Sequence, residues 1–159
     1  HHWHQAADSI WRCLERGKDC AFVNLGDPLL YGTFIHVLEA LRNKHPELEI
    51  EVIPGTSSIN AAAARALVPL AIDDERIAII SGRCEDSFIR ETLRNFDTVI
   101  FMKMHTVFNR LLGILEELNL TKNCVYVKRC TTQDEEIITD ISKLRGKKLD
   151  YFSLLIVRR

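Results

Sequence analysis

RIAIISGRCEDSFIRETLRNFDTVIFM, residues 76–102, decides the fold class. RIAII (76–80) reads as a strand, DSFIRETLRN (86–95) as a helix and DTVIFM (97–102) as a second strand. Moving downstream, a helix over 106–118 places Val107, Leu111, Leu112, Ile114, Leu115 and Leu118 on its apolar side. NCVYVK (123–128) is again strand-like, 134–144 reads equally as strand or short helix, and YFSLLIV (151–157) is a closing strand. Strands that alternate with helices predict an α/β protein.

The same alternation runs upstream. Residues 5–16 put Ala6, Ile10, Cys13 and Leu14 on one helical face, and Gly17 stops that helix. CAFVN (20–24) reads as a strand buried on both faces, 30–43 as a helix, and EIEVI (49–53) as an alternating strand. Pro54-Gly55 breaks the last of these, and Ser57 or Ser58 caps the alanine-rich helix 59–67. The pattern lapses over VPLAIDDE (68–75), which predicts two lobes, 1–72 and 73–159.

Composition narrows the class. The 159 residues are 47% hydrophobic and 27% charged, too apolar for a disordered chain. Lys plus Arg number 21 against 22 Asp plus Glu, so the basic excess of a nonspecific nucleic-acid binder is missing. The apolar runs are too short to span a bilayer, and the polar, His-rich start does not read as a secretory signal. Five cysteines without a C-x-x-C pair suggest reduced thiols. The expectation is a cytoplasmic protein with neither nucleic acid nor membrane as partner.

Four stretches carry residues suited to chemistry. VNLGDPLLYG (23–32) runs from a strand through a tight turn, where Gly26 permits close backbone approach and Asp27 offers a carboxylate. IPGTSSINAAAAR (53–65) sets three hydroxyls at a strand-to-helix junction, followed by side chains small enough for a planar ligand to approach. FMKMH (101–105) and VKRCTT (127–132) end expected strands, where ligands of α/β sheets bind. Each also has an ordinary structural reading: an Asp-capped turn, a capped helix packed on the sheet, or a solvated strand end. Nothing resembles a nucleophile elbow, a P-loop or an H-E-x-x-H metal helix, and no metal is expected.

Taken in order, G-D-P-L-L-Y-G-T, E-V-I-P-G-T-S-S-I-N-A-A-A-A, T-V-I-F-M-K-M-H and V-K-R-C-T-T-Q-D-E-E-I-I resemble the tetrapyrrole methylase family across essentially the whole chain. The P-G-T-S-S run, M-K-M-H and the closing Y-F-S-L-L-I-V-R-R are most similar to its precorrin-2 (cobalt-factor II) C-20 methyltransferase branch. The resemblance implies two α/β lobes with S-adenosylmethionine in the cleft between them, a homodimer, and C-methylation of a tetrapyrrole in cobalamin biosynthesis. It further implies cofactor contacts at Leu25, Gly26, Asp27, Leu30, Ser57, Ser58, Met102 and Cys130, the last where sister enzymes often have glycine. Because the macrocycle carries many carboxylates, Arg65, Lys103, Lys128 and Arg129 are candidate substrate contacts. His105 is the candidate for the proton lost from the macrocycle.

The family also opens with a strand and a G-x-G-P-G-D loop that this chain does not contain. The expectation is therefore that the first part of the N-terminal lobe is missing, and that this fragment binds cofactor poorly and is inactive alone. Two other readings stay open. One is a same-fold methyltransferase of the diphthine synthase or ribosomal RNA type. The other is a non-catalytic α/β module for dimerisation or ligand binding.

Overall fold

The computed structural model describes residues 2–159, and these form two compact units that part between Ser58 and Ile59. In the first unit, helices α1 (His2–Leu14) and α2 (Phe34–Lys44) bury Ala7 against Phe34, Val37, Leu38, Ala40 and Leu41. Ala7 is small enough to let the helices approach. Trp11 stacks on His45 at 3.4 Å between ring centroids, and Asp8 pairs with Lys44 at 2.5 Å. Gly17 takes a left-handed φ of 67° just past α1, as its role as a stop requires.

Two expected elements of this unit are not formed. Residues 20–24 and 49–53 join no ladder, and Val23 is 89% exposed where a doubly buried strand was expected. A strand exists only through its neighbours' hydrogen bonds, and none of the described residues pairs with these segments. Helix α2 also begins at Phe34 rather than residue 30, because Tyr31 has a φ of 56° and cannot continue a right-handed helix.

The second unit is a five-stranded mixed sheet in the order β1-β2-β5-β3-β4. Its strands are β1 (Ile77–Ser81), β2 (Thr98–Met102), β3 (Cys124–Lys128), β4 (Glu136–Ile138) and β5 (Ser153–Arg158). β1 and β2 are parallel, joined through α4 (Asp86–Asn95), and α5 (Phe108–Glu117) carries the chain from β2 to β3. β5 lies between β2 and β3, antiparallel to both. The ambiguous 134–144 segment resolves into both alternatives, β4 and a 3-10 turn at Ile141–Leu144.

Both sheet faces are covered. Alternate strand residues, among them Val99, Phe101, Tyr126 and Leu155, pack with Ile89, Leu93, Leu111 and Leu115 of α4 and α5. Ile100, Val127, Leu154 and Ile156 face the other way, onto Ile59, Ala62 and Ala63 of α3 (Ser58–Ala66). The alanine run lays this helix close on the sheet, so from Ile59 onward it belongs with the strands. The units accordingly divide at 58/59, whereas the pattern lapse at 68–75 had suggested 72/73.

At one end of the sheet Arg158 binds Glu75 at 2.8 Å and Thr98 Oγ1 at 3.1 Å. The Arg158 guanidinium, with the backbone N–H of Ile72, holds the Glu75 carboxyl below the usual carboxylate range. A depressed folded-state pKa adds stability that is present above the unfolded value, about 4.3, and lost as pH falls below it. Thermal melts should therefore show the midpoint falling as pH drops through this range, with a shallower fall in Glu75→Gln.

At the opposite end Gly82 donates its N–H to Met102 at 2.8 Å, and a Cβ there would lie 2.6 Å from Cβ and 3.0 Å from Cα of the buried Met104. Gly82→Ala should destabilise the unit by about 1–3 kcal/mol through overpacking, read by denaturant unfolding.

Candidate functional site

Within the first unit, the Gly-Asp-Pro and Pro-Gly-Thr stretches are one structure. Asp27 Oδ1 accepts the Leu29 N–H at 2.9 Å and Oδ2 accepts the Gly55 N–H at 3.3 Å. The carboxylate thus closes its own turn and ties the second loop to it. It does not cap α2, whose N-cap is Thr33. The contact needs glycine on both sides. Gly26 has a φ of 81°, and a Cβ on Gly55 would lie 2.5 Å from the Gly26 carbonyl oxygen.

Around this pair the candidates differ in access. Leu25 is 90% exposed, Gly26, Leu30 and Ser58 are exposed, Asp27 is half-buried and Ser57 is buried. Asn24 was not a candidate, yet its Nδ2 is buried beside Gly32 with no hydrogen-bond partner.

In the second unit the C-terminal ends of β1, β2 and β3 meet the start of β5 along one edge, with Ser81 opposite Met102 and Lys128 opposite Ser153. Met102 is half-buried on the α3 side of the sheet, and Cys130 packs on the same cluster. Lys103 follows in a left-handed conformation, φ 53°, and is exposed. His105 sits edge-on to Tyr151 at 5.2 Å, Tyr151 meets Phe152 at 5.3 Å, and the Arg129 guanidinium lies 5.9 Å over the Phe152 ring. A histidine, two aromatics and an arginine from three strand ends therefore line this edge. Sequence reading had taken Tyr151 and Phe152 for strand residues. β5 begins only at Ser153, and the side chains just before it make this row.

The candidate cations are largely engaged. Arg65 pairs with Glu135 at 2.7 Å, Lys128 with Glu136 at 2.5 Å and Arg129 with Asp150 at 2.7 Å. Lys128 also faces away from Met102 and Cys130, into a surface pocket with Tyr126, Ile138 and Leu144 on the α5 side. The structure thus groups Met102, Cys130 and Arg65 on one sheet face and excludes Lys128 from them. His105 has its Nδ1 buried without a hydrogen-bond partner, so the orienting hydrogen bond that a general base usually receives at that atom is not made.

Burial, then the nearby Glu135 charge, raises the Cys130 thiol above its ordinary value. Cys124 is pushed up to about 12 by burial alone and donates to the Leu120 carbonyl at 3.1 Å, so it is structural. Among the described residues no cluster of three or more His, Cys, Asp or Glu could hold a metal, and no helix is long and apolar enough to cross a membrane.

The chain is 30% identical over 158 residues to the cobalt-precorrin-2 C(20)-methyltransferase of Salmonella typhimurium, covering 99% of this chain and 65% of that protein. Its fold matches the crystal structure of the methyltransferase CobJ with a TM-score of 0.77 at 22% identity, over 98% of this chain and 71% of that one. It also matches a uroporphyrin-III C-methyl transferase from Thermus thermophilus, solved with S-adenosyl homocysteine, with a TM-score of 0.61 at 19% identity, over 84% and 63%. The family model for tetrapyrrole (corrin/porphyrin) methylases matches residues 1–145, and the chain belongs to that family.

Proposed function

We propose that this chain serves S-adenosylmethionine-dependent C-methylation of a tetrapyrrole, precorrin-2 or cobalt-factor II at C-20, in cobalamin biosynthesis. The observation that carries this is the 30% identity to a cobalt-precorrin-2 C(20)-methyltransferase along 99% of the chain. The chain spans about two thirds of that relative's length, 65%, so the activity is proposed for the protein rather than for these residues alone.

S-adenosylmethionine supplies a methyl group already activated on a sulfonium sulfur. The residues present fit such a molecule in two ways. At Gly26 nothing lies nearer than the Thr56 carbonyl oxygen, 3.8 Å from where a Cβ would stand, so its backbone is open to a ligand, and the orphaned Asn24 amide is a buried donor without an acceptor. The residues that would hold it are Leu25, Gly26, Asp27, Leu30, Ser57 and Ser58 in the first unit, and Met102 and Cys130 in the second. Asp27 acts by bracing two loops, so that their backbone groups are set before the ligand arrives.

The carbon nucleophile belongs to the substrate, and no protein nucleophile is required. The chain's task is then to align the reactants and keep water out. Lys103 and Arg129, the latter paired with Asp150, are the edge cations we assign to substrate carboxylates, and Tyr151 and Phe152 offer flat surfaces beside them. His105, edge-on to Tyr151 and with no partner at Nδ1, is better suited to contact substrate than to relay a proton. A homodimer is part of the same reading.

Calorimetric titration of S-adenosylhomocysteine tests the cofactor. Binding is expected both in this chain and, more tightly, in a version extended by the family's G-x-G-P-G-D strand; no binding by a folded extended protein overturns the reading. Asp27→Ala should weaken that binding about 10- to 100-fold, the loss of two hydrogen bonds at a charged acceptor. Mass spectrometry of the extended enzyme with precorrin-2 and with cobalt-factor II should find one added methyl group on at least one of them. Methylation of neither, alongside intact cofactor binding, would move the assignment to a same-fold enzyme with another substrate.

A further inference from the structure

Glu135 lies in the turn between β3 and β4, and its side chain is only 12% exposed. Oε1 accepts from Arg65 Nη2 at 2.7 Å and Nε at 2.9 Å, while Oε2 accepts the Thr131 N–H at 2.6 Å. Burial raises the Cys130 thiol above its ordinary value, and the thiol stands close enough to this carboxylate for its charge to raise it further. Three donors, two from Arg65 in the last turn of α3 and one from the backbone of the turn itself, therefore converge on one side chain.

The turn they hold is one that needs holding. Arg129 and Thr131 have φ values of 43° and 66°, a region that penalises any residue with a Cβ. Asp150 fixes the first of them through the Arg129 guanidinium, and the Arg129 N–H donates to the Phe152 carbonyl at 2.8 Å. Thr131 is fixed by Glu135, and Cys130 lies between the two anchors. Such backbone persists only where its surroundings over-determine it.

We propose that Glu135 is a positioning residue, which holds the left-handed Arg129–Thr131 turn and so presents Cys130 beside Met102 as a cofactor contact, a role that rests on the function proposed above. It acts through the turn and need not touch the ligand.

Peptide-level mass spectrometry of Cys130 alkylation by iodoacetamide, run beside S-adenosylhomocysteine titration, tests this without relying on catalysis. In Glu135→Ala the alkylation rate should rise about tenfold and S-adenosylhomocysteine Kd should weaken about tenfold. Glu135→Gln, which keeps an acceptor for Thr131 but loses the ion pair, should fall between the two. Glu75→Gln, which loosens Arg158 at the far end of the sheet, should leave the Cys130 rate unchanged. Wild-type alkylation rates in both Glu135 variants overturn the proposal, as does a Glu75→Gln rate matching that of Glu135→Ala, since general loosening would then explain the effect. Should Glu135→Ala fail to fold, the Gln variant decides alone, and an unchanged rate overturns the proposal. Altered Cys130 reactivity with no S-adenosylhomocysteine binding by the folded, extended wild-type protein removes the cofactor reading and leaves the hold of Glu135 on the turn standing.

Discussion

Strand β5 is the element on which the second unit depends. It is the last strand in sequence, yet it lies at the centre of the sheet, pairing antiparallel with β2 on one side and β3 on the other. Leu154 to Val157 are buried in succession because helices cover both faces. Until β5 is in place, β2 and β3 have no common neighbour, and the loops after them share no edge. The edge that carries this unit's candidate residues is thus assembled by a long-range pairing.

That edge is built from backbone that ordinary residues resist. Lys103, Arg129 and Thr131 all take left-handed conformations directly after strands β2 and β3. Each is compensated differently. Lys103 is followed by Met104, whose burial against Gly82 anchors the turn. Arg129 and Thr131 are tied to carboxylates, Asp150 and Glu135. Strain held in place by specific partners is common at ligand-binding loops, and here it falls on motifs that also carry the family resemblance. In the first unit the same economy appears as glycine against backbone, with Asp27 bracing two loops.

The regular elements of the second unit were legible because their signals are local. The helix over 86–95 and the strands around β1, β2 and β3 follow from side-chain periodicity within a dozen residues. The Gly-Asp-Pro and Pro-Gly-Thr stretches could be picked out for the same reason. Glu135 could not, since its partner Arg65 is seventy residues away and no spacing rule joins them. Nor could the exposure of Val23 and Leu25 be foreseen, because an apolar run reads alike whether a neighbouring strand covers it or not.

By itself, then, the sequence determined the α/β alternation, the places of most helices and strands of the second unit, though not of β4 or the start of β5, and the motif order that identifies the family. Tertiary structure decided the order of strands, the sheet face on which each candidate lies, and which cations are already paired. It placed Lys128 away from Met102 and Cys130, and it bound Arg65 to Glu135. The division has a physical cause. Periodicity is a property of neighbours along the chain, whereas strand order and ion pairing depend on which distant segments come to lie side by side.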